Sequence, residues 1–235
     1  MQKEALHLGP VTLGGLPGSL AEGTLLLVSG MGPDAASQGA RALVRAGAAA
    51  LASWGLAGAL APDLAAGDIV IPESITAGDG MTRATAAPWR VRLSAALCER
   101  HRVMGGTLLS RPAVVSTAVE KAALFHSTGA IAVDMESLAI AAVAEDHRLP
   151  FIAVRVIVDR ADDELPVAVT SATDAQGRVR TWRMLTGLIT EPRQIPSLLR
   201  LSRRYRAARR VMVAAGPCLA NRHYAFPDST VRTSS

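Results

Sequence analysis

The chain has 235 residues, 49% of them hydrophobic and 19% charged, with 25 Lys+Arg against 20 Asp+Glu. That length can bury a full core and suits one large domain, and the composition excludes a wholly disordered chain. Two cysteines, Cys98 and Cys218, exclude a disulfide framework, and without a CxxC or Cys/His cluster no metal is expected.

The charge is unevenly placed. Residues 1–177 carry 13 basic and 18 acidic side chains, whereas residues 178–235 carry 12 and 2. A mildly acidic body is therefore followed by a basic segment. Of the 25 cations, 23 are Arg, and the two lysines are Lys3 and Lys121. The opening MQKEALHLG has no apolar h-region and does not read as a secretory signal, so a cytoplasmic protein is expected. The apolar stretch 46–62 is mostly Ala and Gly, too weakly apolar to span a membrane.

Along the chain, residues 25–29 form a continuous apolar run, as a buried strand does. Gly30-Met31-Gly32-Pro33 breaks it, and Asp34 is placed to cap a helix reaching Arg45. Residues 48–54 read as the next strand, with a tight loop over 53–58, and residues 68–71 as another strand. Residues 88–102 read as helix, and 106–109 and 113–115 as short strands. Thr117 and Glu120 form a capping box for a helix ending near Thr128, with Gly129 as its C′ residue. Residues 131–133 read as strand, 135–147 as helix and 151–158 as an apolar, β-branched strand. This alternation predicts an α/β domain with a central mixed sheet flanked by helices.

Beyond Asp159 come an acidic loop with Asp162, Asp163 and Glu164, then helices over 178–189 and 197–213. On the second helix Leu198, Leu201, Tyr205, Ala208 and Met212 share one face. Arg200, Arg203, Arg204, Arg206 and Arg210 lie around the rest. The expected organisation is an α/β domain over 1–177, its basic helical extension over 178–215, and a flexible tail over 216–235.

Ligands of α/β sheets bind beyond the carboxyl ends of the strands, and three loops qualify. Gly30-Met31-Gly32 precedes a helix N-terminus, where backbone N–H groups can approach an anion; the same residues also suit a plain tight turn. Leu56, Ala57 and Gly58 belong to a small-residue loop with room for a flat ligand. Asp134-Met135-Glu136 and Asp159 put carboxylates at strand ends. A carboxylate there is costly to bury, and a raised pKa would suit Asp159 to general acid work. The plainer readings are a turn cap for Asp159 and a favourable first-turn acid for Glu136.

These segments resemble one family. SGMG at 29–32, SWGLAGAL at 53–60 with GDIVIP at 67–72, AVDMES at 132–137 and VRVIVDRAD at 154–162 stand in an order and spacing similar to the purine and uridine phosphorylase superfamily. That superfamily includes the methylthioadenosine/S-adenosylhomocysteine nucleosidases. The resemblance covers roughly residues 20–165. The C-terminal part, with EPRQIPSLL at 191–199, resembles the hopanoid-associated phosphorylases of bacteria, taken to release adenine from adenosylhopane.

By that resemblance Asp159 is the acid that protonates purine N7, Met135 packs against the ribose and Glu136 accepts hydrogen bonds from its hydroxyls. Asp134 goes with them among the substrate-binding residues. Ser116 and Thr117, with Ala118, flank the base. Leu56, Ala57 and Gly58 lie beside the sugar and nucleophile, and Gly30, Met31 and Gly32 near phosphate or water. No cofactor is implied beyond inorganic phosphate as co-substrate, and a homo-oligomer is expected.

Three departures stand out. Ser53 replaces an Arg frequent in the phosphorylases and Leu56 replaces a Ser or Thr, so a phosphate cation would have to come from Arg41, Arg45 or Arg83. The family's first strand reads as missing or rewritten, with Glu4 a candidate for the acid that activates water. The Arg-rich helix over 197–213 reads as a peripheral contact with an anionic inner membrane or as a solvated helix covering the sheet. The rival activities are a hydrolytic nucleosidase and a non-catalytic membrane- or nucleic-acid-binding module. Nucleic acid is not expected, because residues 178–210 hold only Trp182 and Tyr205 as aromatics.

Overall fold

The structure, a computed structural model, describes residues 3–8, 24–30, 32–165 and 195–220. Strands β1 (Lys3–Leu8) and β2 (Thr24–Val28) lead to helix α1 (Pro33–Arg45) and the long strand β3 (Ala48–Ala59). Next come β4 (Ile69–Val70), β5 (Ser74–Thr76), β6 (Thr82–Ala84), α2 (Ala87–Cys98), β7 (Val103–Met104) and β8 (Thr107–Ser110). The body closes with α3 (Ala118–Thr128), β9 (Ala132–Asp134), α4 (Ser137–Asp146) and β10 (Phe151–Asp159), and α5 (Ile195–Ala220) follows.

The strands form one mixed sheet in the order β6-β5-β8-β9-β3-β10-β4-β7, with β1 pairing in parallel with both β2 and β3. The start of the chain, where the family's first strand reads as missing or rewritten, carries β1. β3 is the hub: its start pairs with β1, its length with β10, and its last two residues with β9. Alternate residues of β3 and β10 go to opposite faces. Leu51, Ala57, Phe151 and Ile157 pack with Ala36, Ala40 and Leu43 of α1 and Ile140, Val143 and Ala144 of α4. Ala52, Trp54, Ile152, Val154 and Val156 pack with Trp89 and Leu93 of α2 and Ala208, Met212 and Ala215 of α5. The result is a sheet covered on both faces.

Several local expectations are corrected. Residues 53–58 are not a loop: they continue β3, because Gly55, Leu56, Ala57 and Gly58 pair with Arg155, Val156, Ile157 and Asp159. That pairing with a buried neighbour overrides the turn propensity of the glycines. The cap of α1 is Gly32, at φ 93°, with Pro33 following and Asp34 in the first turn. Residues 113–115 form no strand. α5 runs on to Ala220, so Gly216 lies in the helix and not in a tail. Tyr205, expected on the apolar face, is exposed. The α3 caps are as expected, with Thr117 Oγ1 accepting from the Glu120 N–H and Gly129 left-handed at φ 66°. The helix expected over 178–189 lies outside the described residues.

Candidate active site

The carboxylate loops meet at one end of β3. Gly58 pairs with Val133 on one side and Asp159 on the other, so β9 and β10 deliver their ends to either side of the same residue. A Cβ on Gly58 would lie 3.2 Å from Asp159 Oδ2. The absence of a side chain here is what lets the carboxylate lie against the strand.

Glu136 follows β9 as the N-cap of α4 and is buried. Its Oε1 accepts the Gly32 N–H at 3.0 Å, across 104 residues of sequence. Two of the loops singled out in the sequence thus touch. Burial holds the Glu136 carboxyl above its ordinary pKa, helped by the charge of Asp134 and opposed by Arg155 and the N–H groups of Gly32 and Met135. Met135 is half-buried.

Beneath Glu136 lies a network that sequence reading missed. The Arg155 guanidinium is 2% exposed. Its Nε donates to Asp134 Oδ2 at 2.7 Å, and its Nη2 to Ser53 Oγ at 2.6 Å and Ser137 Oγ at 2.8 Å. Asp134 Oδ2 also accepts the Ser137 N–H at 3.1 Å. Asp134, expected among the substrate-binding residues, is instead fully enclosed and spent on Arg155 and the first turn of α4. Ser53, which by the resemblance replaces an Arg, accepts a bond from the cation of β10. A Cβ on Gly55 would lie 3.0 Å from Arg155 Nη1, so glycine makes the room for that guanidinium.

Asp159 ends β10 and is 7% exposed. Burial raises its pKa, with the nearby Asp163 adding to the effect, while Lys121 and Arg204 oppose it. Lys121, from α3, is 0% exposed and donates to Asp159 Oδ2, to Arg160 O at 2.7 Å and to Asp163 O at 3.0 Å. The turn cap is Asp163, not Asp159: Asp163 Oδ2 accepts the Arg160 N–H at 2.8 Å and a bond from Arg204 of α5. Burial works against the Asp163 charge, but the bonds from Arg204 and Arg160 hold its pKa below the ordinary value. Arg204 is therefore tied to the loop after Asp159, whereas the sequence placed it among solvated cations.

Of the remaining candidates, Leu56 and Gly58 are half-buried and Ala57 is buried within β3; Ser116 is half-buried and Thr117 exposed. Ser116 O accepts the Leu165 N–H at 2.8 Å, which sets the 116–118 segment beside the loop that follows Asp159. That loop also borders an open depression of about 410 Å³, walled by Leu60, Ala118, Ala122 and Phe125. Gly30 is exposed and Gly32 buried; Met31 and the side chain of Glu4 lie outside the described residues. The three arginines considered for phosphate are not gathered at the Gly32 loop. Arg41 lies 3.7 Å from Asp146, Arg83 donates to Glu145 at 2.8 Å, and Arg45 ends α1, about 18 Å along the axis from its start.

Such an arrangement suits cleavage of a bond that leaves positive charge on one fragment and negative charge on the other. It offers a buried carboxyl whose proton is retained above the usual range, and a second carboxyl beside a helix N-terminus. Among the described residues no group of three or more His, Cys, Asp and Glu side chains is placed to hold a metal.

Comparison with known proteins identifies the frame. A family model described as the phosphorylase superfamily matches residues 10–190. Among solved structures, the futalosine hydrolase of Helicobacter pylori matches with a TM-score of 0.63 at 18% identity, over 80% of this chain and 98% of its own. The 5′-methylthioadenosine/S-adenosylhomocysteine nucleosidase of Neisseria meningitidis, in complex with methylthio-immucillin-A, matches at 0.62 and 20%, over 80% and 98%. The corresponding Helicobacter pylori nucleosidase, with butyl-thio-DADMe-Immucillin-A, matches at 0.62 and 18%, over 69% and 87%.

Proposed function

The chain belongs to the phosphorylase superfamily, and from that premise we propose that it cleaves the N-glycosidic bond of an adenosyl compound, releasing adenine. The observation that carries this reading is the pair of buried carboxyls, Glu136 and Asp159, on elements flanking Gly58 of β3. As the C1′–N9 bond breaks, its electron pair moves onto the base. Asp159 supplies the proton to N7, which makes adenine a better leaving group. Glu136 holds the ribose hydroxyls with Met135 against the sugar, and its negative charge favours the oxocarbenium-like sugar that develops. Ser116 and Thr117 flank the base.

The substrate we propose is adenosylhopane, on the strength of the C-terminal resemblance, with inorganic phosphate as the acceptor. A specific observation favours a second reading, hydrolysis: Ser53 binds Arg155, the Gly32 N–H is donated to Glu136, and Arg41 and Arg83 are engaged elsewhere. Adenine release from adenosylhopane and from methylthioadenosine, each with and without phosphate, decides between them. Phosphate-dependent release from the adenosyl lipid supports the first reading, full-rate release without phosphate the second, and no release from either substrate overturns both.

A lipid nucleoside calls for access to a surface. We propose a homo-oligomeric cytoplasmic protein in peripheral contact with the inner membrane through 197–213. Support comes from α5, where Ala208, Met212 and Ala215 are spent on the core while Arg203, Arg206 and Arg210 are exposed. Contact of that kind is electrostatic and salt-sensitive. Among the described residues no helix is long and apolar enough to cross a membrane.

Glu136→Gln keeps an acceptor for the Gly32 N–H and removes the charge. A hydrogen bond to a charged group contributes about 1.5–3 kcal/mol. Steady-state kinetics are therefore expected to show kcat/KM for adenine release falling roughly 10- to 100-fold, and an unchanged value would remove Glu136 from the site.

A further inference from the structure

We infer that Lys121 is the positioning residue of Asp159: it pins Oδ2, leaves Oδ1 to face the base, and holds the carboxylate that remains once the proton has gone. This rests on Asp159 being the acid of the proposed cleavage.

The geometry singles Lys121 out. It is a completely enclosed cation in a helix whose other charged residues lie at the surface. A buried ammonium is costly unless all of its donors are used. Here the three acceptors, Asp159 Oδ2, Arg160 O and Asp163 O, match the three N–H donors of a lysine. Two of them are backbone carbonyls on the loop that leaves β10, so one side chain fixes both the carboxyl and the chain that follows it. Lys121 holds Oδ2, among the described residues Asp159 Oδ1 accepts no hydrogen bond, and the transferred proton is assigned to Oδ1. The residue type also fits. In a chain whose cations are 23 Arg and two Lys, this position has the compact ammonium and not the planar guanidinium fork.

The chemistry balances. The Oδ1–H bond breaks and N7–H forms, the C1′–N9 electron pair passes to the base, C1′ takes an oxygen of phosphate or water, and Asp159 is left an anion facing Lys121 until solvent returns its proton. An opposite charge beside a carboxyl lowers its pKa by about 1–3 units. Lys121 thus works against burial and makes Asp159 a stronger acid than its apolar surroundings alone allow. The other charges acting on the carboxyl are Asp163 on the same loop and Arg204 on α5, and neither is altered in the test.

The test compares wild type with Lys121→Met and with Lys121→Gln, which keeps most of the length and a donor for Oδ2 if the apolar variant fails to fold. Two readouts are taken: the pH profile of kcat/KM for adenine release, and the titration of the Asp159 carboxyl carbon by ¹³C NMR, assigned against Asp159→Asn. Both variants are expected to move the basic limb and the carboxyl titration upward by about 1–3 pH units. In Lys121→Met kcat is expected to fall at least 10-fold with KM little changed. A lower kcat with limb and titration unmoved makes Lys121 a structural clamp and overturns the inference. If wild type releases no base but the carboxyl titration shifts in the variants, the placement of Lys121 stands and the proposed cleavage falls. If the titration does not shift, the inference falls whatever the activity.

Discussion

Asp159→Asn is expected to lower kcat for adenine release by about 10²- to 10⁴-fold, the usual worth of a placed general acid. The amide still offers an oxygen to Lys121 but no proton of useful acidity. Loss of binding is not the expected cause, so KM should change little. The pH dependence gives a sharper check. Burial raises the Asp159 pKa, so its proton is kept at pH values where an ordinary carboxyl has lost it, and activity falls as pH rises through that raised value. In Asp159→Asn this basic limb should vanish along with most of the rate. A variant retaining more than about a tenth of wild-type kcat would fall outside the range for a general acid and exclude Asp159 from that role. Thermal unfolding measured alongside separates lost chemistry from lost fold, because the substitution also takes a charge away from the buried Lys121.

The second large effect is on stability. Arg155→Met should destabilise the protein by about 3–5 kcal/mol, the cost of breaking a buried ion pair from one side. Asp134 would keep its buried charge with only the Ser137 N–H to meet it, and the hydroxyls of Ser53 and Ser137 would lose their donor. Urea unfolding at constant m-value measures it, and a change under about 1 kcal/mol would show that the network relaxes freely. Pairing the substitution with Asp134→Leu should recover much of the loss, because an apolar pair of similar volume is often no worse than a buried ion pair. Arg155 thus supports the site from below, and its removal is expected to disturb Glu136, which sits two residues beyond Asp134 at the start of α4.

Much of this fold follows from local pattern. The apolar run that became β10 was legible because a strand buried on both faces needs no alternation; the run that became β2 was read by the same rule, although among the described residues that strand pairs only with β1 and leaves Val28 exposed. The α3 caps were legible because an N-cap oxygen and a left-handed C′ glycine answer local backbone needs within a few residues. What was misread shares one cause. Residues 53–58 look like a turn until β10 lies alongside them, and only then does a run of small residues become the surface that admits Arg155 and Asp159. The short β5, β6 and β7 carry too few residues for periodicity to register, and they exist because neighbouring strands supply their hydrogen bonds.

The same division runs through the site. By itself the sequence determined which carboxylates stand at or just beyond strand ends, Asp134, Glu136 and Asp159, because an acid that closes an apolar run is conspicuous in one dimension. Only the tertiary structure decided what surrounds them. Nothing local distinguishes Lys121 from a solvated helix lysine or Arg155 from an edge-strand cation, except that lysine is rare in this chain. Their burial, and the acceptors 38 and 21 residues away that make it tolerable, arise when α3 packs under the β10 loop and β3 offers glycine to β10. A charge can be left inside a protein only if its partners arrive from elsewhere in the chain, and that arrival is a property of the packing.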